Sequence, residues 1–264
     1  MIKIITSISI RGGSTIASIN LAEAFNHYGY ECKFYGPHDW HLTQSKYCDK
    51  SSNITLDKDD IVLFHYINCN KRLPVKKFIL TLHEKELYDL KKKPYIPFDN
   101  IHCVSESQMN WHNLTKPYAF VIPNILDDLK PNNESVSNVA GIIGSIDKNK
   151  QTHISIQRAL QDGMNKIILY GTVNDQPYYN QFVKPLIDQS QGRVVHGGYI
   201  ENKQLMYDSI SDVYQDSASE TWGYIARECF LTNTKFHGND VVPEVTSVMS
   251  NEEIMQLWIN LLGL

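Results

Sequence analysis

Short apolar runs alternate with stretches of helical periodicity from the first residues onward. IKIITSI is followed by STIASINLAEAFNHYG, then CKFYG, IVLFHYI, KFILTLH, IHCVS and AFVIPN. Such alternation predicts parallel strands joined by crossover helices. A polar stretch, KPNNESVSN over Lys130 to Asn138, interrupts the pattern and suits an interdomain linker. The alternation then resumes with VAGIIGSI, a helix over His153 to Asp162, KIILYG, a helix around Tyr178 to Gln189, RVVHGGYI, a short helix over Gln204 to Ser209, DVYQDS and a helix after Glu220. The pattern predicts two α/β halves, residues 1–136 and 137–264. In the last segment, NEEIMQLWINLLGL, the residues Ile254, Leu257, Trp258, Leu261 and Leu262 fall on one helical face. This terminal helix is assigned to the second half, with Asn251 as its cap and Glu252 and Glu253 in the first turn.

At 264 residues and 42% hydrophobic content the chain has room for two small domains or one large one and can build real cores. Its formal charge of −4 argues against wholesale coating of nucleic acid but not against a locally basic face. One such face is present: between Lys71 and Lys93 there are eight basic residues (71, 72, 76, 77, 85, 91, 92, 93) against three acids (84, 86, 89). That stripe is either a solvated face or a surface for a polyanionic acceptor or an anionic membrane. The five cysteines are scattered without metal-ligand spacing, which fits a reducing cytoplasm rather than a disulfide framework or zinc site. The amino-terminal MIKIITSISIRGG reads as a strand entering a glycine loop rather than a signal peptide, and no run approaches the ~18 apolar residues of a membrane span.

The chemistry concentrates in DSASETWGYIAREC, Asp216 to Cys229, where Glu220 and Glu228 flank seven residues containing Trp222, Gly223 and Tyr224. A loop entering a helix here turns unpaired backbone N–H groups and the positive end of the helix dipole outward, a site ready for a diphosphate. Gly223 allows close approach of an anion, and Glu228, about one and a half turns on by the ~3.6-residue period, suits a sugar diol. The same segment reads equally as a capped helix with a solvated Glu228. Gly12 and Gly13, after the first strand, open another loop whose amides either face a phosphate or make a plain strand-to-helix turn. His83 ends the strand KFILTLH, at the edge where parallel sheets hold their ligands, as a general base, a hydrogen-bonding group or a structural residue; His65 is read as structural. Lys150, or its competitor Lys148, follows the strand AGIIGS and can neutralise a phosphate or remain solvated. The acidic run Asp57-Lys58-Asp59-Asp60 precedes its strand and is discounted as a metal site.

Taken in order, the glycine loop, TLH, IHCVSES, VIPN, GIIGSIDKNK, IILYG, VVHGGYI and SASETWGYIAREC resemble the retaining GT-B glycosyltransferases whose second domain carries Glu, seven residues and Glu. The resemblance implies two Rossmann-like domains facing a central cleft, an acceptor domain first and a nucleotide-sugar donor domain second. It implies transfer without a metal or cofactor from a nucleotide-diphosphate sugar to a saccharide or lipid-linked glycan. A phage-type transferase acting on hydroxymethylated DNA bases and a non-catalytic nucleotide-sugar-binding protein are the alternatives. By the resemblance Glu220 meets donor-sugar hydroxyls, Glu228 holds the ribose, amides around Trp222, Gly223 and Tyr224 touch the diphosphate with Gly12 and Gly13, and the nucleobase rests near Tyr199 and Ile200. Lys150 matches the phosphate-binding lysine and His83 the histidine near the reacting sugar. One departure stands out: Ser145 occupies the position of the usual arginine, which implies either weaker phosphate binding or compensation by Lys148 or Arg227.

Overall fold

The computed structural model describes residues 1–6, 12–36, 45–49, 53–65, 69–83, 97–132, 136–242 and 244–264. The chain divides into two compact units, one of Met1–Leu126 with Met249–Leu264 and one of Asp127–Val248.

Among the described residues the first unit carries a seven-stranded sheet of β1 (Ile2–Thr6), β2 (Cys32–Tyr35), β3 (Cys48–Asp49), β4 (Ile61–His65), β5 (Lys77–Leu82), β6 (Asn100–Cys103) and β7 (Ala119–Val121). Its order is β3-β2-β1-β4-β5-β6-β7 and every pairing is parallel. All five residues of β1 and of β4 are buried, as expected of strands covered on both faces, which is why they read as continuous apolar runs. The order reverses at β1, between β2 and β4, and the next described helix in the chain is Gly13–His27.

The terminal helix, Asn251–Leu262, belongs to this first unit, which corrects its assignment to the second half. Its Ile254, Met255, Trp258, Leu261 and Leu262 share one core with Ile2, Ile4, Phe25, Phe34 and Ile79. Trp258 meets the Phe25 ring edge-on at 6.1 Å and lies 4.5 Å from the His102 ring. Met255 is buried where the sequence pattern favoured Leu257, which is exposed. The cap is Ser250, one residue earlier than expected: its hydroxyl accepts from the Glu253 N–H at 3.2 Å while the Glu253 carboxylate accepts from the Ser250 N–H at 2.8 Å. Asn251 instead clasps Leu126, accepting from its N–H at 3.0 Å and donating to its carbonyl at 2.8 Å.

The second unit is a five-stranded parallel sheet of β8 (Val139–Ile143), β9 (Lys166–Tyr170), β10 (Val194–Gly198), β11 (Asp212–Tyr214) and β12 (Lys235–His237), in the order β10-β9-β8-β11-β12. The Thr152–Gln161, Lys203–Asp208 and Tyr224–Thr232 helices lie in the predicted places, and the Gln176–Gln189 stretch is helical with a π-wound middle over Tyr179–Val183. The short strands β3 and β12 had no sequence prediction, since neither CD nor KFH makes an apolar run. The division between units falls after Leu126, earlier than the polar stretch. Leu129 is buried in the second core, and the Asn132 and Lys130 N–H groups donate to the Thr232 carbonyl and the Gln204 side chain, both at 2.8 Å.

Candidate functional site

In the second unit the strand order reverses at β8, which has β9 on one side and β11 on the other. In open α/β sheets the loops leaving the carboxyl ends of strands beside such a reversal are where ligands bind. Here the loop after β8 carries Gly144 to Gln151 and the loop after β11 carries Gln215 to Gly223. The two are joined directly: the Ala218 N–H donates to the Asn149 carbonyl at 2.7 Å, and the Asn149 amide donates to the Ser219 carbonyl at 3.3 Å. The second loop is also anchored to the Thr152–Gln161 helix, where Asp216 pairs with Arg158 and accepts from the Ser155 hydroxyl at 2.9 Å. Close backbone approach at this edge depends on Gly171, where a β-carbon would lie 1.8 Å from the Gly144 carbonyl oxygen.

Lys150 and Glu220 meet at this junction. The Lys150 ammonium pairs with Oε1 of Glu220, which also accepts from Gln215 Nε2 at 2.8 Å and Ser217 Oγ at 3.1 Å. Their side chains are 24% and 16% exposed, so the pair is sheltered yet reachable. Asp147 shapes the lysine loop by accepting from the Lys150 N–H at 2.9 Å and from Ser145 Oγ at 2.5 Å. Ser145, the residue that departs from the expected arginine, therefore serves the turn. Lys148 is 76% exposed, with Asp175 at 3.8 Å, and does not join the pair.

Beyond Glu220 the chain enters the Tyr224–Thr232 helix through Gly223, at φ +72°, a left-handed conformation that glycine adopts without penalty. Among the described residues no side chain caps this helix, and its first turn has no acid. Arg227 lies over the Trp222 ring, 4.3 Å from its centre, and donates to the Trp222 and Gly223 carbonyls. It stiffens the entry turn instead of standing free to compensate for Ser145.

Glu228 is not the open carboxylate expected. It is 2% exposed: Oε1 accepts from Lys203 Nζ at 2.5 Å and Oε2 from the Tyr207 hydroxyl at 2.8 Å. Lys203 pairs with Asp127 as well. Burial alone would depress the lysine, but the Glu228 and Asp127 carboxylates overcome it and hold its pKa above the ordinary value. Burial, with the Glu228 charge added, raises the Tyr207 hydroxyl well above the usual phenol range. The solvated-Glu228 alternative is excluded too. Lys203, Tyr207 and Gln215 were absent from the sequence prediction, because nothing local separates them from ordinary helix and strand residues. After β10, Tyr199 is exposed and Ile200 is half-buried.

In the first unit, Gly12 precedes the Gly13–His27 helix in extended backbone, and no side chain among the described residues caps that helix. A β-carbon at Gly12 would meet nothing described within 4 Å. Arg11 lies outside the described residues. His83 follows β5 and is 9% exposed, its ring 4.5 Å from that of His65 and 6.2 Å from that of His102. Burial, then the neighbouring imidazoles, pushes its pKa well below the ordinary value, so it stands neutral. Of the basic stripe, Arg72 is committed to Asp99 at 2.8 Å and Lys77 to the Leu261 carbonyl, while Lys71 and Lys76 are exposed. Lys85, Lys91, Lys92 and Lys93 lie outside the described residues. Asp60 is consumed by Lys3 at 2.5 Å, at the amino end of β4.

No protein-family model matches the sequence, and no curated protein does. Solved structures share its fold. Anabaena Alr3699/HepE, crystallised in complex with UDP-glucose, is similar over 97% of this chain and 88% of its own, with 13% identity and a TM-score of 0.68. The fold is that of the GT-B glycosyltransferases. WaaG, a glycosyltransferase involved in lipopolysaccharide biosynthesis, is similar over 100% of this chain and 91% of its own, with 10% identity and a TM-score of 0.65. AviGT4, a glycosyltransferase involved in avilamycin A biosynthesis, is similar over 99% and 93%, with 14% identity and a TM-score of 0.65. Both units are Rossmann-like. Among the described residues no helix is long and apolar enough to cross a membrane.

Proposed function

We propose that the protein is a retaining glycosyltransferase that moves a sugar from a nucleotide-diphosphate donor to the hydroxyl of a saccharide or lipid-linked glycan. The observation that carries this reading is the Lys150–Glu220 pair, held at the reversal of the second sheet between two mutually bonded loops and followed by an uncapped helix. The fold it sits on is shared with a protein bound to UDP-glucose. In the proposed reaction Glu220 accepts from hydroxyls of the donor sugar. Lys150 and the amides at the start of the Tyr224–Thr232 helix oppose the charge that develops on the departing diphosphate, in place of a metal. The acceptor hydroxyl attacks from the face the leaving group vacates, and its proton passes to the leaving phosphate. His83, neutral by burial, acts near the reacting sugar as a hydrogen-bonding group rather than as a cation. Gly12 and Gly13 touch the diphosphate and Tyr199 and Ile200 the base. The proposed site of action is the cytoplasm.

The test is release of nucleoside diphosphate from a panel of nucleotide sugars, with oligosaccharide and lipid-linked acceptors present. Turnover should fall by at least about 100-fold in Glu220→Ala and Lys150→Ala, in line with the loss of a transition-state contact. Absence of release from every donor and acceptor would refute the reading.

One observation favours a second reading, a nucleotide-sugar-binding protein without turnover. Glu228, the residue the resemblance gives to the ribose, is closed off by Lys203 and Tyr207. Donor binding without release or transfer, unchanged by any acceptor, would select it. The DNA-base acceptor is the weaker alternative, with Arg72 already paired with Asp99 and Lys77 bonded to the Leu261 carbonyl; a steep salt dependence of DNA binding would revive it.

A further inference from the structure

We infer that Gln215 is a positioning residue for Glu220, fixing the carboxylate so that one oxygen stays turned to the donor sugar. The inference rests on the nucleotide-sugar reading above. Three donors converge on Oε1 of Glu220: the Lys150 ammonium, Gln215 Nε2 at 2.8 Å and Ser217 Oγ at 3.1 Å. Oε2 accepts from none of the described residues. The donors differ in kind. Lys150 is the cation that an arriving diphosphate draws towards itself, because two negative charges compete for one ammonium. Gln215 and Ser217 are neutral, so a phosphate exerts far less pull on them.

When Lys150 turns to the leaving group, the neutral pair keeps Glu220 in place with Oε2 free to accept from sugar hydroxyls. Gln215 is suited to this. It is 4% exposed, and its backbone N–H continues the β11 ladder by donating to the His237 carbonyl at 3.0 Å. Its amide nitrogen also reaches Ser217 Oγ at 3.1 Å, joining the two neutral donors. The cost of the arrangement is visible: Gln215 Oε1 is buried and has no partner among the described residues. A side chain kept only for stability would not strand a buried acceptor, since methionine would fill the same space without that penalty.

The experiment is calorimetric titration of the wild-type protein and Gln215→Met with UDP and with UDP-glucose, followed by GDP-mannose and dTDP-glucose if neither binds. In Gln215→Met the affinity for the nucleotide alone should be unchanged. The ratio of sugar-nucleotide to nucleotide affinity should fall about 10-fold, the worth of a hydrogen bond to a charged group. In a Glu220→Ala background the same substitution should have no further effect on that ratio. A ratio preserved in Gln215→Met, or an equal loss in both backgrounds, overturns the assignment while leaving the transferase reading intact. Failure of the wild-type protein to bind any of these donors overturns both. Should the variant not fold, a crystal structure of the wild-type protein with the bound sugar nucleotide decides. A sugar held by Glu220 without the Gln215 bond refutes the role, and one held with that bond intact supports it.

Discussion

At the scale of single residues, the second unit contains two ionic arrangements of opposite character. The Lys150–Glu220 pair is partly open and shares one carboxylate oxygen among three donors, whereas Lys203–Glu228 is closed, with both carboxylate oxygens filled. A buried pair is a poor source of net stability but is costly to break from one side. Lys203→Met, which leaves Glu228 buried without its cation, should therefore destabilise the second unit by about 3 kcal/mol. Glu228→Gln in addition should recover much of that loss, giving a strong coupling in a urea-unfolding double-mutant cycle. Purely additive losses would mean that the lysine acts through its stem alone.

At the scale of elements, three neighbouring strands of the first sheet each bring one histidine to the same place: His65 closes β4, His83 follows β5 and His102 lies in β6. Burial, then the His102 charge, lowers His65 to about 3, and burial lowers His102 to about 4, while His83 is also held well below its ordinary value. An unfolded chain releases these imidazoles to a pKa of about 6.5, so below that pH the unfolded state binds more protons than the folded one. The stability they permit is complete above about pH 6.5 and is lost as the pH falls towards their folded values. The slope should approach about 1.4 kcal/mol per pH unit for each histidine between pH 6 and 5. Urea melts at pH 7, 6 and 5 measure it, and His102→Asn should reduce the slope by about one proton. This cluster was illegible in the sequence, where His65 and His83 are 18 positions apart and only strand pairing joins them. What was legible were the strands themselves, because IVLFH and KFILTL are apolar on both faces, and the loops that hold Lys150 and Glu220, because each follows such a strand. Lys203 and Gln215 escaped because their roles depend on contacts 25 and 5 residues away that no periodicity records.

At the scale of the molecule, the chain's last helix returns to the first unit. The periodicity of EIMQLWINLL showed that a face must be buried but could not say against which core, since both cores accept aliphatic and aromatic side chains. What selects the first is the fit of Trp258 between Phe25 and His102, together with the Asn251 clasp on Leu126. The consequence is testable because the two units have separate cores. Trp258→Ala should cost about 3–5 kcal/mol, as expected for removing a large side chain from a closed core. The loss should appear only in the first unit. Hydrogen exchange followed by mass spectrometry should show faster exchange in β1, β4 and the Gly13–His27 helix, with β8, β9 and the Tyr224–Thr232 helix unchanged. Faster exchange in β8 and β9 instead would place the helix with the second core and restore the division that follows sequence order.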